Sequence, residues 1–136
     1  MGAFKYIRQN ERLINKSKER KAEIIQQVTK EPILVRVDRP TKIARARMLG
    51  YKSKNGFVVV RVRVSKGSFR RPRINHARKP SKTGMYLNLS KSKRIIAEER
   101  ASRVYRNMSL VGSYFLTENG QYKWFEVLMK DPIIVK

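Results

Sequence analysis

No cysteine occurs anywhere in the 136 residues, which excludes disulfides, thiol chemistry and cysteine-based zinc sites. Histidine is nearly as scarce. His76 stands alone, and one imidazole without thiols makes a poor transition-metal site, so neither a metal nor a cofactor is expected. Long apolar runs are missing too: none approaches the roughly 20 residues of a membrane helix. The opening MGAFKYIRQNERL has no apolar stretch of the secretory kind. Tyr6 stands where a myristoylation signal needs Ser or Thr, and the N-x-S matches at Asn15, Asn88 and Asn107 read as chance. An intracellular protein with no membrane partner is expected.

Negative charge is the most telling shortage. Ten acids face 33 Lys and Arg, a net charge of +23. A domain this basic repels itself and calls for a polyanion, of which nucleic acid is the first choice and anionic membrane or acidic protein the distant ones. From Arg39 to Ala97 there are 18 Lys and Arg and no acid at all. A mixed-sign helix face is ordinarily a solvated face, but a one-sign span of this length is not explained that way.

The length suits a single domain spanning 1–136, with 40% hydrophobic residues to build a core. Residues 1–30 read as a helical N-terminal segment, one long helix or two shorter ones. Phe4, Ile7, Ile14, Ile24, Ile25 and Val28 form a thin apolar stripe, and Pro32 ends the pattern. In 31–136, ILVRV (33–37) reads as a strand. DRPTKIARARMLG is a short helix with Pro40 near its start and Gly50 as its stop. SKNG (53–56) is a turn into the strand FVVVRVRV. There Val58, Val60, Val62 and Val64 share one face, and Arg61 and Arg63 the other.

Residues 65–90 read as a long basic loop, with helix resuming after Ser90 or Ser92 as N-cap. Ala97, Ala101, Val104, Tyr105 and Met108 give the next helix its apolar face, with Ile95 outside it. LVGSYFLTE and QYKWFEVLM flank Asn119-Gly120, a hairpin signal. Tyr114 and Leu116 fall on one side of the first strand, Val111 and Phe115 on the other. That pattern implies a sheet covered on both sides, hence three layers in an α+β fold.

The candidate contacts to nucleic acid follow from the charge. Arg61 and Arg63 join an acid-free helix (Lys42, Arg45, Arg47) and turn (Lys52, Lys54) in one phosphate-binding wall. The loop adds Lys66, Arg70, Arg71, Arg73, Arg78, Lys79 and Lys82. Arginine offers phosphates a planar fork and bases a flat cation. Such a loop is either solvated and disordered or orders when threaded between nucleic-acid strands. His76, with no carboxylate near it in sequence, is an RNA contact or a bystander rather than an acid–base group. Tyr114, Phe115, Tyr122, Trp124 and Phe125 belong to paired strands and read as core. Phe69, Tyr86 and Tyr51, in basic loop-like stretches, are candidates to stack on an unpaired base or to anchor the loop.

An enzyme is not expected. The chain has no Walker loop, no G-x-G-x-x-G, no paired His and no nucleophile elbow. Glu98 and Glu99 are helical neighbours pointing about 100° apart, read as surface residues or partners for Arg100 and Arg103. Zinc-finger, leucine-zipper and RNP1-type patterns are likewise missing.

Four blocks carry a family resemblance: MGAFKYI, VRVDRPTKIARARMLGYKSKNGFVVVRVRV, AEERASRVY and SYFLTENGQYKWFEVLMKDP. In this order they resemble the archaeal and eukaryotic large-subunit ribosomal protein family numbered fifteen-e, over nearly the whole chain. DRPTKIARARMLGYKSKNG is the most specific block. The resemblance implies a four-stranded antiparallel sheet with helices on both faces. It also implies a structural, non-enzymatic protein embedded in large-subunit ribosomal RNA beside neighbouring ribosomal proteins, one copy per cytoplasmic ribosome, with no small-molecule substrate. It adds Lys5, Arg8 and Arg39 to the RNA-facing residues. Members of that family continue past Asp-Pro as a glycine- and arginine-rich extension. This sequence stops at Lys136, as a shortened member or an incomplete chain. A DNA-packaging protein and a non-ribosomal RNA chaperone are the alternatives that the charge alone would allow.

Overall fold

The computed structural model describes residues 2–67 and 90–134. Along the chain these form α1 (Phe4–Lys16), α2 (Lys18–Lys30), β1 (Leu34–Val37), α3 (Ile43–Met48), β2 (Phe57–Ser65), α4 (Lys93–Val104), β3 (Ser109–Glu118) and β4 (Tyr122–Lys130). The four strands make one antiparallel sheet in the order β1-β2-β4-β3, an α+β fold as expected.

The helical N-terminus is two helices. Ser17 is extended (φ −66°, ψ 131°) and its hydroxyl donates to the Ile14 carbonyl at 2.8 Å, ending α1 where α2 begins. The apolar stripe is real only in part. Val28 is buried against Leu116 and Trp124 with Ile24 beside it, while Ile14 is 52% exposed.

β2 sorts its side chains as its alternation requires. Val60, Val62 and Val64 join Phe125, Val127 and Met129 of β4 under α4. Ala97 and Ala101 have no exposed surface, and their lack of bulk lets α4 sit close to the valines. Each valine so buried contributes about 1.5–3 kcal/mol. Val59 points the opposite way and packs with Leu128, Tyr114 and Ala46 of α3. Apolar clusters therefore lie on both faces of the sheet, which leaves little room for an open arginine face.

Ser92 is the N-cap of α4, its hydroxyl accepting from the Ile95 amide at 3.3 Å. The expected stripe breaks at Val104, which is 61% exposed because the helix ends there; Tyr105 and Met108 reach the core from the turn that follows. Val111 also departs from expectation. A register shift between Leu110 and Gly112 inserts it as an extra residue, so it packs on the Tyr114 side. The hairpin turn forms as expected, with the Asn119 side-chain oxygen accepting from the amides of Gln121 (2.9 Å) and Tyr122 (2.7 Å).

Candidate nucleic-acid interface

With so few acids, where each one is used decides where the positive charge is left over. Glu126 lies on β4, fully buried and directly opposite Arg61 of β2. Its Oε1 accepts from Arg61 Nε (3.3 Å) and Nη2 (3.1 Å) and from the Thr41 hydroxyl. Its Oε2 accepts from the Thr41 amide (3.0 Å) and the Tyr114 hydroxyl. Arg61 Nη1 pairs with Glu31 at the end of α2. Burial works to lower the pKa of the Arg61 guanidinium, but the Glu31 hydrogen bond and the Glu126 charge outweigh it and raise it overall.

Arg61 is therefore not a phosphate contact, contrary to the sequence reading. Only 6% of it is exposed, and its donors are taken up by carboxylates and Thr41. The reason is the second covered face of the sheet. Period-two alternation correctly put Arg61 opposite the valines; it could not tell that α2 and the 38–42 segment would close over that side. The network also ties that segment to the sheet, because Thr41 and Lys42 bond through their amides to Glu126 and the Tyr114 hydroxyl.

The remaining acids are largely spent too. Glu11 accepts from the Ala44 amide at 2.6 Å, supplying the first turn of α3 with an acceptor. Glu98 takes Arg94 and Ser113, and Glu99 takes Lys91 and Arg103. Glu118 takes Lys66 and Lys123. The Lys91 hydrogen bond holds Glu99 below the usual carboxylate range, and Lys123 does the same for Glu118.

What remains outside is mostly cationic. α3 presents Arg45 and Arg47 outward while Ala44 and Ala46 face in. Arg8 and Arg12 of α1, Arg45 of α3 and Arg94 of α4 surround a cleft of about 520 Å³. Arg8, Arg12 and Arg45 make no ion pair with any described residue. Arg39 and Arg47 flank a smaller hollow of about 220 Å³ together with Tyr51. Lys52 and Lys54 stand exposed on the following turn. Lys5 is exposed on α1.

Lys42 and Arg63 are more occupied. Lys42 Nζ donates to the carbonyls of Phe115 (2.9 Å) and Leu116 (3.1 Å) on the outer edge of β3, leaving one of its three protons for anything else. Burial lowers its pKa, against the opposing pull of Glu126 and Glu11. Arg63 lies over the Tyr122 ring, 4.7 Å from its centroid. Arg70, Arg71, Arg73, His76, Arg78, Lys79 and Lys82, with Phe69 and Tyr86, lie outside the described residues. Tyr51 is an anchor, edge-on to Phe57 at 5.8 Å and packed on the Val59 cluster.

Sequence reasoning missed Arg12, Arg94 and Phe115. Arg12 follows Glu11 in sequence, which hid it, and Arg94, the last cation of the acid-free span, reads as a helix-surface residue paired with Glu98 at i,i+4, a pairing it makes through its Nε. Phe115 was read as core, yet it is 44% exposed in the cleft, because β3 is an edge strand of the sheet.

Fold and surface together define a small, strongly basic α+β protein that buries Glu126 with Arg61 and leaves most of its other described arginines exposed. Among the described residues no cluster of three or more potential metal ligands occurs, and no helix is long and apolar enough to cross a membrane. The family model for ribosomal L15, of the L15e type, matches residues 2–135. The chain belongs to the ribosomal L15e family, and is thereby a structural constituent of the ribosome.

Proposed function

We propose that this protein binds and stabilises large-subunit ribosomal RNA, and so supports subunit assembly and translation in the cytoplasm. The observation that carries this is the set of outward arginines without a carboxylate partner among the described residues: Arg8, Arg12, Arg39, Arg45 and Arg47. The exposed lysines Lys5, Lys52 and Lys54, with Arg63 and Lys66, add positive charge to this surface, and the arginines, lysines and His76 of the basic loop complete the proposed RNA contacts.

The mechanism is electrostatic and architectural. Each cation that meets a phosphate releases condensed counterions, so affinity falls steeply with salt. The sheet and its ion network hold α3 rigid, so phosphates meet a fixed pattern of charge. Recognition is by RNA shape and by unpaired segments, because the deep A-form major groove hides its base edges. Neighbouring large-subunit proteins complete the protein's surroundings, with one copy in each particle.

Sedimentation of an extract after a high-salt wash, with mass-spectrometric counting of this chain in each fraction, tests the proposal. One copy per large subunit surviving the wash is the expected result. A chain that washes off, or travels with DNA or free RNA, overturns it in favour of a general nucleic-acid binder.

A further inference from the structure

We propose that the cleft between α1, α3 and the β3 edge is a receptacle for one unpaired RNA nucleotide, whose base stacks on Phe115. This rests on the RNA-binding reading above and assigns a particular job to one place on the surface.

Three observations converge there. Phe115 presents an open ring, 44% exposed, at an edge where the other large aromatics of the hairpin are covered. Its position is fixed by a T-shaped contact with Phe125 at 5.9 Å and by the Lys42 ammonium over one face of the ring, 5.8 Å from its centroid, so a base would stack on the other face. A rigid, flat apolar face costs little ordering when a base lands on it. The second observation is the rim, where Arg8, Arg12 and Arg45 lack carboxylate partners among the described residues. The single acid there, Glu11, already accepts from the Ala44 amide. A ring floor under a cationic rim matches a nucleotide, with its flat base and its phosphates on either side. The volume of about 520 Å³ lies in the range of small-ligand clefts, about 300–1,000 Å³.

The third observation argues against a protein occupant. An extended peptide would add to the free edge of β3 through its carbonyls, but Lys42 already donates to those of Phe115 and Leu116. The register shift between Phe115 and Thr117 further spoils the edge for strand addition.

The test compares binding of the full chain to short single-stranded oligoadenylate with binding to a duplex of the same length, for Phe115→Leu and Phe115→Trp. The leucine keeps the apolar contact with Phe125 but loses the ring; the tryptophan keeps a ring. Phe115→Leu should weaken single-strand binding about tenfold, leave duplex binding unchanged, and be rescued in Phe115→Trp. Ultraviolet crosslinking of the wild type should attach adenosine to the peptide containing Phe115. Equal affinity of wild type and Phe115→Leu for the single strand overturns the proposal. So does an equal loss on strand and duplex, or Phe115-dependent binding of a polyglutamate peptide as strong as that of RNA. If neither RNA binds at all, the broader RNA reading fails as well. Duplex binding with indifferent Phe115 variants sinks the nucleotide site alone.

Discussion

Between β2 and β4 an arginine is enclosed by carboxylates; on the outer side of α3 the arginines have none among the described residues. Arg61 and Arg45 carry the same guanidinium, yet the first is 6% exposed and paired with both Glu31 and Glu126, while the second stands open at a cleft. The difference lies in the placement of acids. Two of ten are drawn into the interior to neutralise one arginine, and that ion network fastens the 38–42 segment from which α3 starts. A surface bristling with like charge needs such an anchor, since its own electrostatics push it apart.

The strongest way to break the comparison is to remove the interior acid. Glu126→Ala leaves Arg61 buried with half its compensation gone and strips the acceptor from Thr41 and Tyr114, so unfolding free energy should fall by about 3–5 kcal/mol. Denaturant titration in high salt measures this. Replacing both partners, as Arg61→Met with Glu126→Leu, should recover part of the loss, because no charge is then left stranded. A loss under about 1 kcal/mol in the single variant would mean that the network does not hold the segment.

A pH scan tests the same interior. Burial first, and then the charge of Glu126, raise the Tyr114 hydroxyl above its ordinary 10.0. The folded protein keeps that proton where the unfolded chain gives it up. The stability from Tyr114 is therefore complete below about pH 10 and drains away above it, by about 1.4 kcal/mol per unit. Lys42 runs the other way. Its ammonium is lowered below 10.5, so in the window beneath that value its contribution grows as pH rises. Tyr114→Phe removes the first effect and keeps the second, so its unfolding free energy should fall less steeply than the wild type's above about pH 10. Parallel curves would place the tyrosine outside the network.

A smaller effect sits at the junction of the two regions. Gly50 follows α3 with φ 101°, a conformation that favours glycine. An added Cβ would meet Val111 Cγ1 at 3.5 Å, an ordinary contact, so the cost of Gly50→Ala is one of backbone conformation. About 1 kcal/mol of stability should be lost in denaturant titration, with the salt dependence of RNA binding unchanged.

How much of this was legible beforehand follows the range of each signal. Gly50 as a helix stop, the Asn119 turn and the valine face of β2 are set within a few residues and were readable, and the cap of α4 was narrowed to Ser90 or Ser92, of which Ser92 serves. The fate of Arg61 was not. It depends on Glu31 and Glu126, one at a helix end and the other 65 residues along the chain, and no local pattern marks that meeting. Phe115 failed for the opposite reason. Its hydrophobicity promised burial, but strand order left β3 at the sheet edge. Likewise the acid-free run suggested one wall of charge, and what breaks it up is the Lys42 ammonium turning back to β3 carbonyls.

The mildest change in stability sharpens the comparison most. Arg45→Ala and Arg47→Ala remove exposed side chains that hold nothing in place, so each should alter unfolding free energy by less than about 0.5 kcal/mol. Their effect belongs to binding. A phosphate contact contributes about 0.9 to the slope of log affinity against log salt, and each variant should flatten that slope by about this amount. Arg61→Met should instead lose stability and leave the slope alone, because its guanidinium meets carboxylates rather than phosphate. Measured on one duplex at several salt concentrations, the two classes of arginine should separate cleanly. An Arg61 variant that flattens the slope without loss of stability would put that arginine back on the surface. An Arg45 variant that unfolds the protein would make α3 part of the core instead.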